Sequence, residues 1–307
     1  MRRHTLPSLR PGEVRVRTLW SALSRGTERL VFEGRVPEPI RARMRAPAQE
    51  GDFPFPVKYG YCAVGRIEPD GPLIFALHPH EEAFTATPEA LFPLPDCVPP
   101  RRAILAATME TALNGIWDSG AGPGDRIAVV GGGMVGLLAA ALAARLPGAE
   151  VTLIDCDPSR AAPAAALGVP FRTAPEADGA ADVVLHTSAS AEGLATALAL
   201  AGEEARVVEL SWYGSDSVPA PLGVFFHPRR LRLVSSQVGQ LPAARRPRWT
   251  PRRRLLKALD LLGDPRFDAL ITEEVAFADL PGSLPRLLRR GAPGLCTAIR
   301  YDPPEEP

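Results

Sequence analysis

The sequence is short of lysine, of patterned cysteine, of net charge and of long apolar runs. Only Lys58 and Lys257 are lysines among 35 basic side chains, and 35 acidic side chains balance them. A chain without a net positive field is not built to hold nucleic acid or an anionic membrane. The arginine excess, together with 34 prolines, reads as coding bias rather than function. Cys62, Cys97, Cys156 and Cys296 show no C-x-x-C spacing. That argues against a disulfide framework and for a reducing compartment. No uninterrupted apolar run reaches the roughly 18 residues that a membrane helix needs. The opening MRRHTLPSLRPGEV has no apolar core of a secretory signal. These absences lead us to expect a cytoplasmic globular protein. Its 307 residues, 46% hydrophobic and 23% charged, suffice for about two domains.

What is present centres on residues 125–155, GDRIAVVGGGMVGLLAAALAARLPGAEVTLID. Ile127 to Val130 reads as a buried strand. It runs into Gly131-Gly132-Gly133-Met134-Val135-Gly136, a G-x-G-x-x-G. Leu137 to Leu146 is rich in helix formers, Pro147-Gly148 ends it, and Val151 to Ile154 reads as a second strand closed by Asp155. Gly131 permits the tight turn, Gly133 lets backbone approach a pyrophosphate, and Gly136 lets helix and strand pack closely. The free N–H groups at the helix start receive phosphate charge, and Met134 and Val135 within the motif are candidate cofactor contacts. Asp155, 19 residues after Gly136, is placed to accept hydrogen bonds from ribose hydroxyls. It would repel a 2′-phosphate, so the pattern predicts NAD rather than NADP.

Short strands come before this unit: Glu13 to Leu19, Tyr59 to Ile67, Leu73 to Leu77, Ala83 to Thr87 and Ala90 to Leu94. Turn residues between them predict a small barrel-like β domain. Ser21 to Arg29 reads as a polar turn and residues 34–58 as a long surface loop that shapes a pocket. Pro100 to Gly120 reads as helical. After Asp155, helices at Ser159 to Leu167 and Ala191 to Ala201 alternate with strands at Asp182 to His186, Ala205 to Leu210 and Leu231 to Val238. Alternation of this kind predicts a doubly wound parallel sheet. Ser188 and Ser211 follow strands at its carboxyl edge and are candidate cofactor contacts, as are Ser235, Ser236 and Gln237. Arg252 to Leu262 and Leu284 to Arg290 read as helices and Phe267 to Phe277 as extended. The last strand, Leu295 to Tyr301, is expected to rejoin the first domain, and Pro303 to Pro307 to be a frayed tail. The expected domains are 1–115, 116–240 and a returning segment, 241–307. Arginines 245–254 look like a phosphate or nucleic-acid patch, yet in a neutral chain a solvated helix face is the plainer reading.

This organisation resembles the medium-chain dehydrogenase/reductase superfamily, of the alcohol dehydrogenase type. Gly26-Thr27-Glu28 is similar to its Gly-Thr-Asp after the first zinc-ligand cysteine. Gly60-Tyr61-Cys62-Ala63-Val64-Gly65 is similar to its Gly-His-Glu-x-x-Gly. Met109-Glu110-Thr111 stands where a third zinc ligand occurs. Ser24-Arg25-Gly26-Thr27-Glu28 with Val64-Gly65-Arg66 also resembles, locally, the bacteriochlorophyllide dehydrogenase branch. The resemblance implies a GroES-like β domain joined to a Rossmann domain, and dimers or tetramers. The family's first strand is shortened here, so the start is expected to be incomplete.

The departures bear on the chemistry. Arg25, or Ser24 if the register slips by one, stands at the cysteine ligand, Tyr61 at the histidine and Cys62 at the neighbouring glutamate. The structural-zinc lobe is missing. A catalytic zinc needs three protein ligands, and only Glu110 keeps ligand chemistry. Cys62, His78 and His80 are the residues for a rearranged site. The expectation is therefore no metal, with Tyr61 as proton donor, Thr27 as a relay hydroxyl, and Arg25 either binding an oxyanion or pairing with Glu28 or Glu110. Tyr61 as wall packing and Thr27 as a turn cap are the plainer alternatives. The resemblance implies hydride transfer between NAD(H) and a small alcohol or carbonyl substrate. Two rivals are a zinc-independent NADPH-linked quinone or enone reductase and a dinucleotide-binding protein without turnover.

Overall fold

The computed structural model describes residues 2, 4–174 and 179–301; the expected tail at 303–307 lies outside them. In chain order the strands are β1 (Val14–Ala22), β2 (Glu50–Gly51), β3 (Val57–Lys58), β4 (Ala63–Ile67), β5 (Leu73–Ala76), β6 (Ala83–Ala86) and β7 (Leu91–Pro93). Then come β8 (Arg126–Val130), β9 (Glu150–Ile154), β10 (Phe171–Arg172), β11 (Ala181–His186), β12 (Ala201–Glu209) and β13 (Arg232–Ser235), with β14 (Ile271–Ala276) and β15 (Cys296–Arg300) last. The α-helices are α1 (Arg25–Phe32), α2 (Pro100–Ala103), α3 (Ala106–Ser119), α4 (Met134–Ala143), α5 (Ala161–Ala166), α6 (Ala191–Leu200), α7 (Pro251–Leu261) and α8 (Leu280–Leu287). The chain forms two compact units, Met1–Ala107 with Leu255–Pro307, and Thr108–Arg254. The divisions fall inside α3 and α7, so the expected boundaries at 115 and 240 are displaced. Each crossover is a continuous helix, which a sequence reading that looks for a loop does not see.

The first unit is built on a sheet of order β14-β15-β1-β4-β5-β7, with β6 also paired to β1. β15 lies antiparallel to β1 and parallel to β14, so the C-terminal strand completes the N-terminal sheet. Val16, Ala63, Ile74, Ala76, Phe84 and Leu91 pack one core of this unit. The stretch read as a polar turn, residues 21–29, is instead the end of β1 and the start of α1. Leu30 and Val31 are buried on α1. Its polar residues are not there for solvent; Glu28 is itself buried.

The second unit is a parallel sheet of order β10-β9-β8-β11-β12-β13. Strand order reverses between β8 and β11, and ligands of such sheets bind at the carboxyl ends there. α4 is buried along nearly its whole length, which explains its all-round apolar sequence. It starts at Met134, inside the glycine motif and earlier than expected. Leu194, Ala197 and Leu198 of α6 pack with Val184 and Val207 on the other part of the sheet. No helix among the described residues is long and apolar enough to cross a membrane.

Candidate functional site

At the switch point β8 turns into α4 through Gly131, whose φ of 112° favours glycine. A Cβ on Gly136 would lie 1.8 Å from the Gly131 carbonyl oxygen, and one on Gly131 would lie 2.6 Å from the Ser188 nitrogen. Side chains are therefore excluded at both positions. Gly133 differs: nothing lies within 4 Å of where its Cβ would stand. It is the N-cap of α4 and makes no side-chain cap, so the first-turn N–H groups at Met134 and Val135 have no intrahelical partner. Thr187 Oγ1 donates to the Gly131 carbonyl at 2.8 Å and braces the turn. Asp155 is fixed by two backbone donors, Gly132 N–H at 2.5 Å and Asp157 N–H at 2.8 Å. Arg160, which the sequence reading missed, packs its stem beside Gly132 and pairs with Asp157 at 3.2 Å. These residues fit a dinucleotide: a cradle for phosphate, then a carboxylate for a ribose.

Ser188 and Ser211 border the same edge, but their hydroxyls are engaged internally. Ser188 Oγ lies 2.7 Å from His186 Nε2, and Ser211 Oγ accepts from Ala189 N–H at 3.1 Å. Ser236 donates to Asp118 Oδ2 at 2.6 Å, so it ties β13 to α3.

In the first unit, Tyr61 lies within electrostatic reach of Glu28 and of the Ser24 and Thr27 hydroxyls. Burial pushes Tyr61 up to about 12, the Glu28 charge adds to the rise, and those two hydroxyls oppose it. Arg25 turns away. It donates to the carbonyls of Ala292, Pro293 and Gly294 at 3.1, 2.6 and 3.2 Å, and pairs with Glu273 at 3.5 Å. Through these contacts the guanidinium fastens the loop before β15. Glu28 accepts from Ser24 N–H at 2.8 Å and lies 3.0 Å from His80 Nε2, while His80 Nδ1 lies 2.9 Å from Ser21 Oγ. Glu28 and His80 also line an open cavity of about 1300 Å³ with Tyr59, Lys58, Phe55 and Phe277.

Glu110 is in the second unit and has no free ligand geometry. Arg254 Nε donates to it at 2.9 Å, and the same guanidinium donates to Asn114 Oδ1 at 2.5 Å and to the Val238 carbonyl. Burial raises the Glu110 carboxyl and Arg254 opposes the rise. The donor set as a whole does not fit a catalytic zinc. Burial holds the Cys62 thiol well above its ordinary value, and it donates to the Ile104 carbonyl at 3.2 Å. His78 stacks on Phe84 at 3.8 Å, and His80 is taken by Glu28 and Ser21. Among the described residues no three His, Cys, Asp or Glu side chains converge to hold a metal. Much of the arginine cluster is also spent internally: Arg254 on Glu110, and Arg245 and Arg253 over Trp117 and Trp249 at 5.1 and 4.0 Å.

No protein-family model matches the sequence. Solved structures do. The alcohol dehydrogenase TADH from Thermus sp. ATN1 superposes with a TM-score of 0.74 at 20% identity, over 98% of this chain and 96% of that one. A zinc-binding dehydrogenase from Sinorhizobium meliloti 1021, bound to NADP, gives 0.75 at 18% identity over 97% and 95%. Galactitol-1-phosphate dehydrogenase from Escherichia coli gives 0.76 at 16% identity over 97% and 96%. The fold is that of the medium-chain dehydrogenases. A medium-chain fold places a GroES-like unit with a Rossmann unit, which are the antiparallel and parallel sheets described above. Likeness at these identities is one of fold, and the side chains must speak for the chemistry.

The two glycines make different predictions. Gly136→Ala is expected to cost about 3 kcal/mol or more, since backbone must move. Gly133→Ala is expected to leave the melting temperature within about 2 °C of wild type, as surface changes of under 0.5 kcal/mol do, and still weaken NADH binding. Thermal melts and fluorescence titration check both; equal melting losses would remove the distinction.

Proposed function

We propose that the protein is a nicotinamide-dependent oxidoreductase acting on an alcohol/carbonyl pair, with NAD(H) as cofactor and hydroxyl groups rather than a metal at the polarising position. The observation that carries this reading is the cradle at the switch point: closed at Gly131 and Gly136, open at Gly133, and ending in the fixed carboxylate of Asp155. The hydride is supplied or taken by the nicotinamide when the cofactor is bound. The α4 amides at Met134 and Val135 receive pyrophosphate charge. Asp155 keeps lone pairs for ribose hydroxyls and disfavours a 2′-phosphate.

Tyr61 supplies the proton. A phenol raised to about 12 by burial and by Glu28 stays protonated at neutral pH, so it serves as an acid and hydrogen-bond donor to a carbonyl oxygen. The Thr27 and Ser24 hydroxyls stand beside it and oppose the rise. Arg25 and Glu110 have structural tasks and are left out of the chemistry. Their removal from the site also favours the rival reading, a dinucleotide-binding protein without turnover. An NADPH-linked enone reductase is disfavoured by Asp155.

Asp155→Ala is expected to weaken NADH binding about tenfold, a loss of roughly 1.4 kcal/mol for charge-assisted hydrogen bonds, and to narrow the gap to NADPH. Unchanged selectivity in titrations with both cofactors would take Asp155 off the ribose. For turnover the probe is a panel of ketones, alcohols and enones with NADH. Tight NADH binding with no oxidation across the panel would establish the binder instead.

Tyr61→Phe is expected to lower kcat about a hundredfold at unchanged NADH affinity. Glu28→Gln removes a charge that raises Tyr61, so the phenol should ionise at lower pH and the alkaline fall in carbonyl reduction should move down with it. Ultraviolet titration and pH–rate profiles check this. A fully active Tyr61→Phe variant would leave Tyr61 as packing.

A further inference from the structure

A second constellation lies at the carboxyl edge of the parallel sheet. His186 ends β11 and is fully buried, while Ser188 two residues on is exposed. His186 Nε2 lies 2.7 Å from Ser188 Oγ, and its Nδ1 lies 2.6 Å from Glu209 Oε2 at the end of β12. Glu209 is held by further donors: Tyr213 O–H at 3.0 Å and Ser211 N–H at 2.8 Å. Burial pushes the Glu209 carboxyl up, but its hydrogen bonds from His186 and Ser211 prevail and it sits below the ordinary value, so it stays ionised. An ionised Glu209 accepts a hydrogen bond from His186 Nδ1–H, which keeps the proton on Nδ1. Nε2 is then left to accept from the Ser188 hydroxyl at 2.7 Å, a hydroxyl that also lies 3.1 Å from Ser190 Oγ. This is the arrangement of an activated nucleophile: hydroxyl, base within hydrogen-bond reach, and an acid that fixes the base.

The surroundings are shaped to it. A Cβ on Gly193 would lie 2.0 Å from Ser188 Oγ and 2.8 Å from His186 Nε2, so only glycine leaves room for the pair. Ala189 holds a φ of 51°, a conformation costly for a residue other than glycine and one that clusters at functional sites. α6 begins at Ala191, and its positive end adjoins Ser188. The Ser188 backbone packs on Gly131, at the mouth of the cradle.

We propose that Ser188 is an acyl-accepting nucleophile activated by His186 and Glu209, and that its acylation closes the mouth of the dinucleotide cradle. The acyl donor is an activated ester. Ser188 Oγ forms a bond to the acyl carbon as the bond to the leaving oxygen breaks. The Oγ proton passes to His186 Nε2 and from there to the leaving alkoxide. No oxidant or reductant is involved. The closure rests on the dinucleotide reading above; the acylation does not.

The test treats full-length protein with p-nitrophenyl acetate, follows nitrophenolate release, and maps the label by peptide mass spectrometry. Stoichiometric labelling of Ser188 is expected. Ser188→Ala should lose it, and Glu209→Gln, which leaves the nucleophile in place, should slow it about a hundredfold. If Glu209→Gln does not fold, Tyr213→Phe, which removes one donor from the carboxylate, is expected to change the rate severalfold with Ser188 still labelled. Acylated protein should bind NADH at least tenfold more weakly than untreated protein. Label on other residues, or rates that ignore Glu209 and Tyr213, would overturn the nucleophile. Unaltered NADH binding after acylation would overturn the closure alone. Untreated protein that binds no NADH would bring down the cradle reading, and the closure with it.

Discussion

Backbone meets backbone where β8 turns into α4. The Gly131 carbonyl stands so close to the Gly136 Cα that no side chain fits between them, and Thr187 is hydrogen-bonded into the same contact. Three elements, β8, α4 and the loop after β11, are thereby drawn to one point at the strand-order reversal. Helix and sheet lie near enough for the α4 amides to be presented at the sheet edge, and Asp155 is fixed by the turn itself through Gly132. The cradle is a consequence of packing, and its chemistry is backbone chemistry. It also sets the position of the loop carrying Ser188.

The first unit depends on a different device. Glu28 of α1 is turned inward, where it accepts from Ser24 N–H and meets His80. An ionised carboxylate in that position makes every nearby phenol harder to ionise, Tyr59 and Tyr301 as well as Tyr61. Tyr61 therefore keeps its proton at neutral pH. Neutral hydroxyls in a half-buried site suit hydrogen-bond polarisation of an oxygen atom.

Legibility in the sequence followed the physics of each part. Residues 125–155 could be read because strand, turn and helix there are local, and each glycine has a local cause. The parallel sheet was readable from its apolar runs, and its order follows from the alternation with helices. Residues 21–29 were misread because polarity was taken for exposure, when Glu28 is buried against partners distant in sequence. Arg25 and Glu110 could not be assigned for a related reason: their partners, Ala292 to Gly294 and Arg254, are set by tertiary contacts. His186 and Glu209 were invisible as a pair because parallel neighbours β11 and β12 bring together residues separated by a helix. Gly193 after His-x-Ser was the one signal that could have drawn attention to them.

The central claim is the proposal that the second unit binds a dinucleotide and that Tyr61 of the first unit, not a metal, donates the proton. The most direct measurement is metal content by inductively coupled plasma mass spectrometry, made on protein purified without chelator or metal-affinity resin and shown to bind NADH. The account predicts no stoichiometric zinc, and turnover unaffected by a chelator. About one zinc per chain, lost together with activity on chelation, would contradict it, since a catalytic zinc requires three protein ligands that the assignments above leave unprovided.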